Sequence, residues 1–97
     1  MVAFAYVGNA VDAAGFRLAG LRTWAPDRGA ELAAFRAARA SAEAVFISLA
    51  VAEQLPHAEL DAALAGDRPV VVLIPESAGA SPLEPAERAR TQLGLDP

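Results

Sequence analysis

Val2-Ala3-Phe4-Ala5-Tyr6-Val7 runs into Gly8-Asn9 and then, past a short loop, into Gly15-Phe16-Arg17-Leu18-Ala19-Gly20. Six apolar residues closed by a turn pair read as a strand, and the block that follows is too apolar for a catalytic loop. It reads as a helix over Asp12 to Ala19 in which Phe16 and Leu18 pack while Gly15 and Gly20 remove bulk. Gly20 suits the left-handed position just past a helix end. A strand that leads directly into a helix is half of a crossover unit, so the fold depends on whether the alternation continues.

It continues along the chain. Leu21-Arg22-Thr23-Trp24 reads as a short second strand stopped by Pro26, with Arg22 marking a sheet edge. A helix from Asp27 or Arg28 to Ala40 follows, with Asp27 as its expected N-cap. Two packings of its wheel are open. Leu32 and Phe35 face the sheet with the stems of Arg28 and Arg39 along its margin, or Ala33, Ala37 and Ala40 face inward and leave the large side chains to a partner. Burying a large side chain is worth about 1.5–3 kcal/mol, which favours the first. Ala44 to Leu49 is the third strand. Pro56 separates a short turn over Val51 to Leu55 from a helix over His57 to Ala65, closed by Gly66, with Leu60 and Leu64 as its buried stripe and Glu59 and Asp61 in solvent. Pro69 to Ile74 is the fourth strand. Strands 1, 3 and 4 are apolar without alternation, as parallel strands buried on both faces are. Right-handed crossovers then give a four-stranded parallel sheet of order 2-1-3-4 with helices on both faces.

The α/β domain is expected over residues 1–76. Glu76 to Ser81 has linker composition, so 77–84 reads as a flexible tether. Residues 85–97 follow as a C-terminal helix from Pro85 to Leu93, ended by Gly94. Its apolar stripe of Ala86, Ala89 and Leu93 is thin, which suits an element that detaches.

At 97 residues there is room for one core, with roughly 60–65% of the unfolded surface buried. The chain is 55% hydrophobic with net charge −4, and its eight cations are all arginines scattered among twelve acids. Nucleic acid is therefore an unsuited partner, because phosphate binding needs a clustered basic face. Without cysteine there is no disulfide, thiolate nucleophile or Cys-based metal site. No leader-like start and no apolar run of about 20 residues is present, so a cytoplasmic location is expected.

Candidate sites are few. Gly8 and Gly15 match neither the dinucleotide fingerprint nor the phosphate loop. The simpler role is a turn at Gly8 and a helix cap at Asn9 or Asp12. The crevice beyond the strand ends, where the order reverses, would hold Gly8, Asn9, Asp12, Ser48, Pro75 and Glu76. A phosphoreceiver domain of this topology needs a phospho-accepting Asp at the end of strand 3, and Ile47-Ser48-Leu49-Ala50 offers none. His57 stands alone at a helix start without converging ligands, and Ser48 has no base within reach. Trp24 is a natural anchor if its edge meets a partner. Arg17 could pair with Asp12 or Asp96, or reach a partner's carboxylate.

The block Gly15 to Gly20 resembles the F subunit of the V-type and A-type rotary ATP synthases. So do, in the same order, strand 3 with its Pro-interrupted helix, Gly66-Asp67-Arg68-Pro69, Val70-Val71-Val72-Leu73-Ile74-Pro75 and Leu93-Gly94-Leu95-Asp96. The resemblance implies a Rossmann-like (CheY-like) domain in the central stalk, or rotor. There it would clamp the coiled coil of the D subunit and help couple ATP synthesis or hydrolysis to ion transport, with no catalytic residue, cofactor or metal of its own. Membrane association would be indirect, through the complex and its other rotor subunits. The partner-binding residues expected on this basis are Phe16, Arg17, Trp24, Arg88 and Arg90. Asn9 departs from the acidic residue common in that family, and the tether to the last helix is short. From the residues alone, a small-ligand-binding or degenerate receiver-like signalling domain using the crevice near Asn9 and Ser48 is the alternative.

Overall fold

The computed structural model describes residues 3–76. The tether at 77–84 and the helix over 85–97, with Arg88 and Arg90, lie outside the described residues, as does Val2. The elements run β1 (Phe4–Val7), α1 (Ala10–Leu18), β2 (Arg22–Trp24), α2 (Glu31–Ser41), β3 (Ala44–Ser48), α3 (Leu49–Glu53), α4 (His57–Ala65) and β4 (Val70–Ile74). These four strands are parallel, in the order β2-β1-β3-β4, so the architecture is α/β and compatible with a Rossmann-like fold.

Helix boundaries follow local chemistry. Asn9, in extended conformation, caps α1: its Oδ1 accepts from the Asp12 N–H at 2.8 Å, and α1 therefore begins at Ala10 rather than Asp12. At the other end Gly20 adopts φ 98°. The Gly20 N–H donates to the Arg17 carbonyl at 3.0 Å and the Leu21 N–H to the Phe16 carbonyl at 3.1 Å, the paired bonds of a Schellman stop. Helix α2 departs from expectation. Asp27 is not its cap, because Gly29 at φ 92° turns the chain first and the helix starts at Glu31 without a side-chain cap. Instead the Asp27 carbonyl accepts from the Ala30 N–H at 2.9 Å, and the Gly29 N–H donates to the Glu31 carboxylate at 2.8 Å.

Strand register sorts the side chains onto two faces. Ala5, Val7, Val45 and Ile47 are fully buried against Ala34, Phe35 and Ala38 of α2, Val51 and Ala52 of α3, Leu55, and Ala63 of α4. Leu32 and Trp24 pack on the margin of this core. Of the two packings open for α2, the sheet-facing one is adopted: Phe35 is fully buried, whereas Ala33, Ala37 and Ala40 are exposed. The Arg39 guanidinium lies 5.5 Å from the Phe35 ring centre. Arg28 precedes the helix and does not share that role. In α4 the inward residues are Leu60 and Ala63, while Leu64 is exposed. Glu59 is not simply solvated. Its carboxylate accepts from the Arg36 guanidinium at 2.7 and 2.9 Å, tying α4 to α2 and holding the Glu59 carboxyl below its ordinary range.

The opposite face carries Phe4, Tyr6, Phe46, Val70 and Val72. Among the described helices, α1 packs there, with Phe16 stacked on Tyr6 at 4.3 Å between ring centres. Burial on both faces, expected for strands 1, 3 and 4, is therefore not general: Phe4, Val70, Val72 and Leu73 are exposed. The physical reason is positional. In the order 2-1-3-4, β4 is an edge strand, and α1 crosses between β1 and β2 at the other side of the sheet.

Candidate functional site

Two surfaces on this scaffold could serve a function: the crevice past the strand ends, and the outer side of α1. The crevice has a volume of about 500 Å³ and is lined by Gly8, Asn9, Arg28, Glu31, Ser48, Gln54 and Glu76 among others. Of the residues expected there, Gly8, Asn9, Ser48 and Glu76 are brought together, whereas Asp12 and Pro75 do not line it. Arg28, Glu31 and Gln54 escape sequence reasoning because they enter from the turn before α2, the start of α2 and the end of α3.

Its polar groups are largely committed to holding the fold. Ser48 is 1% exposed and its Oγ accepts from the Val51 N–H at 3.2 Å, capping α3. Glu76, just past β4, accepts from the Ala50 N–H, so a side chain of this protein occupies the orphan donor that an anion would use. Tyr6 lies beneath. Its phenol is pushed up to about 12 by burial, with the charges of Asp12 and Glu76 adding to the effect. A ring this close leaves no space at Gly8, where a Cβ would overlap the Tyr6 hydroxyl. His57 is exposed at the first position of α4, outside the crevice lining. No group of three or more His, Asp or Glu among the described residues could hold a metal ion.

Helix α1 is the opposite case. Ala13 points into the protein and Phe16 lies half-buried on Tyr6, which turns Val11, Ala14, Gly15 and Leu18 outward. Val11 is 74% and Leu18 92% exposed. Leu18, expected to pack, instead stands on the outer pole, and Gly15 relieves no crowding, since a Cβ there meets nothing within 4 Å. Val11 carries no surface signal of its own; its position follows from Ala13 being the buried residue. Arg17 forms no ion pair with Asp12; its Nε donates to the Thr23 hydroxyl at 3.2 Å. Trp24 sits on edge strand β2, half-buried against the core and lining a shallow apolar groove with Ala30, Ala33 and Ala37. Phe16 and Arg17 thus share one helix, while Trp24 belongs to the sheet face that packs on α2.

Known proteins offer no shortcut to a role. No protein-family model matches the chain, and no curated protein does. The resemblance to the F subunit accordingly rests on the residues quoted for it. No helix among the described residues is long and apolar enough to cross a membrane.

Proposed function

We propose that this chain is a non-catalytic rotor subunit of a V-type or A-type ATP synthase, similar to the F subunit, which grips the coiled-coil D subunit and helps couple ATP turnover to ion transport. One observation supports the docking part of this reading: α1 holds Val11 and Leu18, seven residues apart, on an outward pole with only the small Ala14 and Gly15 between them on that side. Large apolar side chains left in water at a seven-residue spacing match the seam of a helix pair, in which each knob needs a partner helix to bury it. The assignment to a rotary motor comes from the ordered motifs from Gly15-Phe16-Arg17-Leu18-Ala19-Gly20 to Leu93-Gly94-Leu95-Asp96. On this reading the protein works in the cytoplasm, peripheral to the membrane through the complex. Torque passes through packing, and the chemistry belongs to other subunits.

Co-expression with the cognate D subunit tests it. An equimolar complex on size-exclusion chromatography is the expected result, and persistent failure to associate overturns the reading. The crevice of about 500 Å³ favours a second reading, a small-ligand-binding or degenerate receiver-like signalling domain. Tight nucleotide binding by the isolated chain in calorimetry would select that one.

A further inference from the structure

The face of the sheet that α1 occupies is covered on one side only. Over β1 the ring of Phe16 shields Tyr6, which is buried. Over β3 and β4 the same face carries Phe46, set edge to face against Phe4 at 6.2 Å between ring centres, with Val72 in register beside Phe46 and Val70 two residues before it. Phe4, Val70 and Val72 are exposed there, while α2, α3 and α4 all contribute to the core on the opposite face. A contiguous apolar surface of this kind calls for a cover.

We infer that residues 85–93 of this chain are that cover, laid as a helix over β3 and β4 with Ala86, Ala89 and Leu93 against Phe46, Val70 and Val72. The segment lies outside the described residues and reads as a helix from its sequence, between Pro85 and the stop at Gly94. Handedness selects the face. Helix α1 leads from β1 to β2 and lies on the exposed face, whereas α2 and the α3–α4 pair lead in the other direction, towards β3 and β4, and lie opposite. Because β4 is the last strand on its side, a segment leaving it has sheet to cross only in the β1-to-β2 direction, which a right-handed connection places on the α1 face. Length agrees. The tether at 77–84 reaches up to about 26 Å when extended, and a helix over 85–93 is about 14 Å long, close to the roughly 16 Å of a five-residue strand. The chemistry agrees as well: Ala86, Ala89 and Leu93 share one side of the wheel, small enough for close approach over Phe46, and leave Glu87, Arg88 and Thr91 to water. This face lies beside α1 rather than on its outward pole, so its closure does not rest on the rotor reading.

The chain has no cysteine, so introduced thiols report contact directly. In the full chain Val72→Cys is paired in turn with Ala86→Cys, Ala89→Cys and Leu93→Cys, and the same three are paired with Leu73→Cys, whose side chain belongs to the opposite face. Under dilute oxidising conditions at least one Val72→Cys pair should close an intramolecular disulfide at least about tenfold faster than its Leu73→Cys counterpart, since a loose tether would sample both faces alike. Circular dichroism melts check that each variant folds. Independently, Leu93→Asp should shift the methyl resonances of Val70 and Val72, leave those of Val45 and Ile47 in place, and lower the urea midpoint. Equal closure rates on the two faces, or faster closure at Leu73→Cys, overturn the assignment, as does a Leu93→Asp chain whose Val70 and Val72 resonances do not move. Disulfide dimers formed by the chain carrying Val72→Cys alone, in preference to closure, would give the face to a second copy. Protection of that thiol only on adding the cognate D subunit would give it to the partner. Either result overturns the inference.

Discussion

The ring of Phe16 on α1 stacks over the ring of Tyr6 on β1, with centroids 4.3 Å apart and planes inclined by 25°. This pair seats α1 on its face of the sheet, because the other inward residue of the helix, Ala13, has only a methyl group to bury. The three other described helices share a continuous core built from side chains of both helices and strands. A docking surface on α1 is therefore held in place largely through one aromatic contact.

Phe16→Ala should reduce stability by about 2–4 kcal/mol, through lost transfer energy and the space left over Tyr6. Urea unfolding reads the total. Amide exchange reads its location, with the protection of α1 falling further than that of α2 or β3. Equal losses across all elements would show that α1 is not separately seated.

Gly8 and Tyr6 should be energetically coupled. A Cβ at Gly8 overlaps the phenol, so Gly8→Ala must displace the ring at a cost of about 1–3 kcal/mol. In a Tyr6→Leu background the obstacle is gone and most of that cost should vanish. A double-mutant cycle measures the difference, and additive costs would contradict the geometry.

Tyr6 should impose an alkaline limit on stability. Its phenol is neutral in the fold and titrates near 12, against an ordinary value of 10.0, chiefly because burial disfavours the phenolate and next because Asp12 and Glu76 repel it. Because the folded value is the raised one, the contribution is fully present below about 10 and is lost as pH rises from there towards about 12. Tyr6 is the only tyrosine, so tyrosinate absorbance reports it directly. A midpoint near 10 in the folded protein would contradict the burial.

Ser48 should behave as a structural cap. Ser48→Ala leaves the Val51 N–H without its acceptor in a buried place and should cost about 1–2 kcal/mol in thermal or chemical unfolding. Glu76→Ala should expose the Ala50 N–H to the crevice, with a smaller loss because that contact is exposed. If either variant raised stability, the crevice would have to be read as a strained site instead.

Much of the scaffold is legible along the chain because its signals are local. Apolar runs place β1, β3 and β4, with Gly8 closing the first and Pro69 and Pro75 bounding the last; Pro56 separates α3 from α4, and Gly20 stops α1 by adopting the left-handed turn. Handedness then leaves 2-1-3-4 as the order. The start of α2 is not legible in the same way: Asp27 is a good cap in isolation, whereas Gly29 turns the backbone before a helix can form there. The candidate surface on α1 is half legible, since Phe16 and Arg17 stand out by type but Leu18 reads as core.

Composition and spacing by themselves determined the alternation of strands and helices, the parallel sheet and the absence of cysteine chemistry, since each depends on neighbours a few residues apart. Only the tertiary structure decided which side of each element meets water. That depends on long-range packing: Ala13 and Phe16 settle onto the sheet and rotate Val11, Gly15 and Leu18 outward, and the edge position of β4 leaves valines exposed that their own sequence would bury.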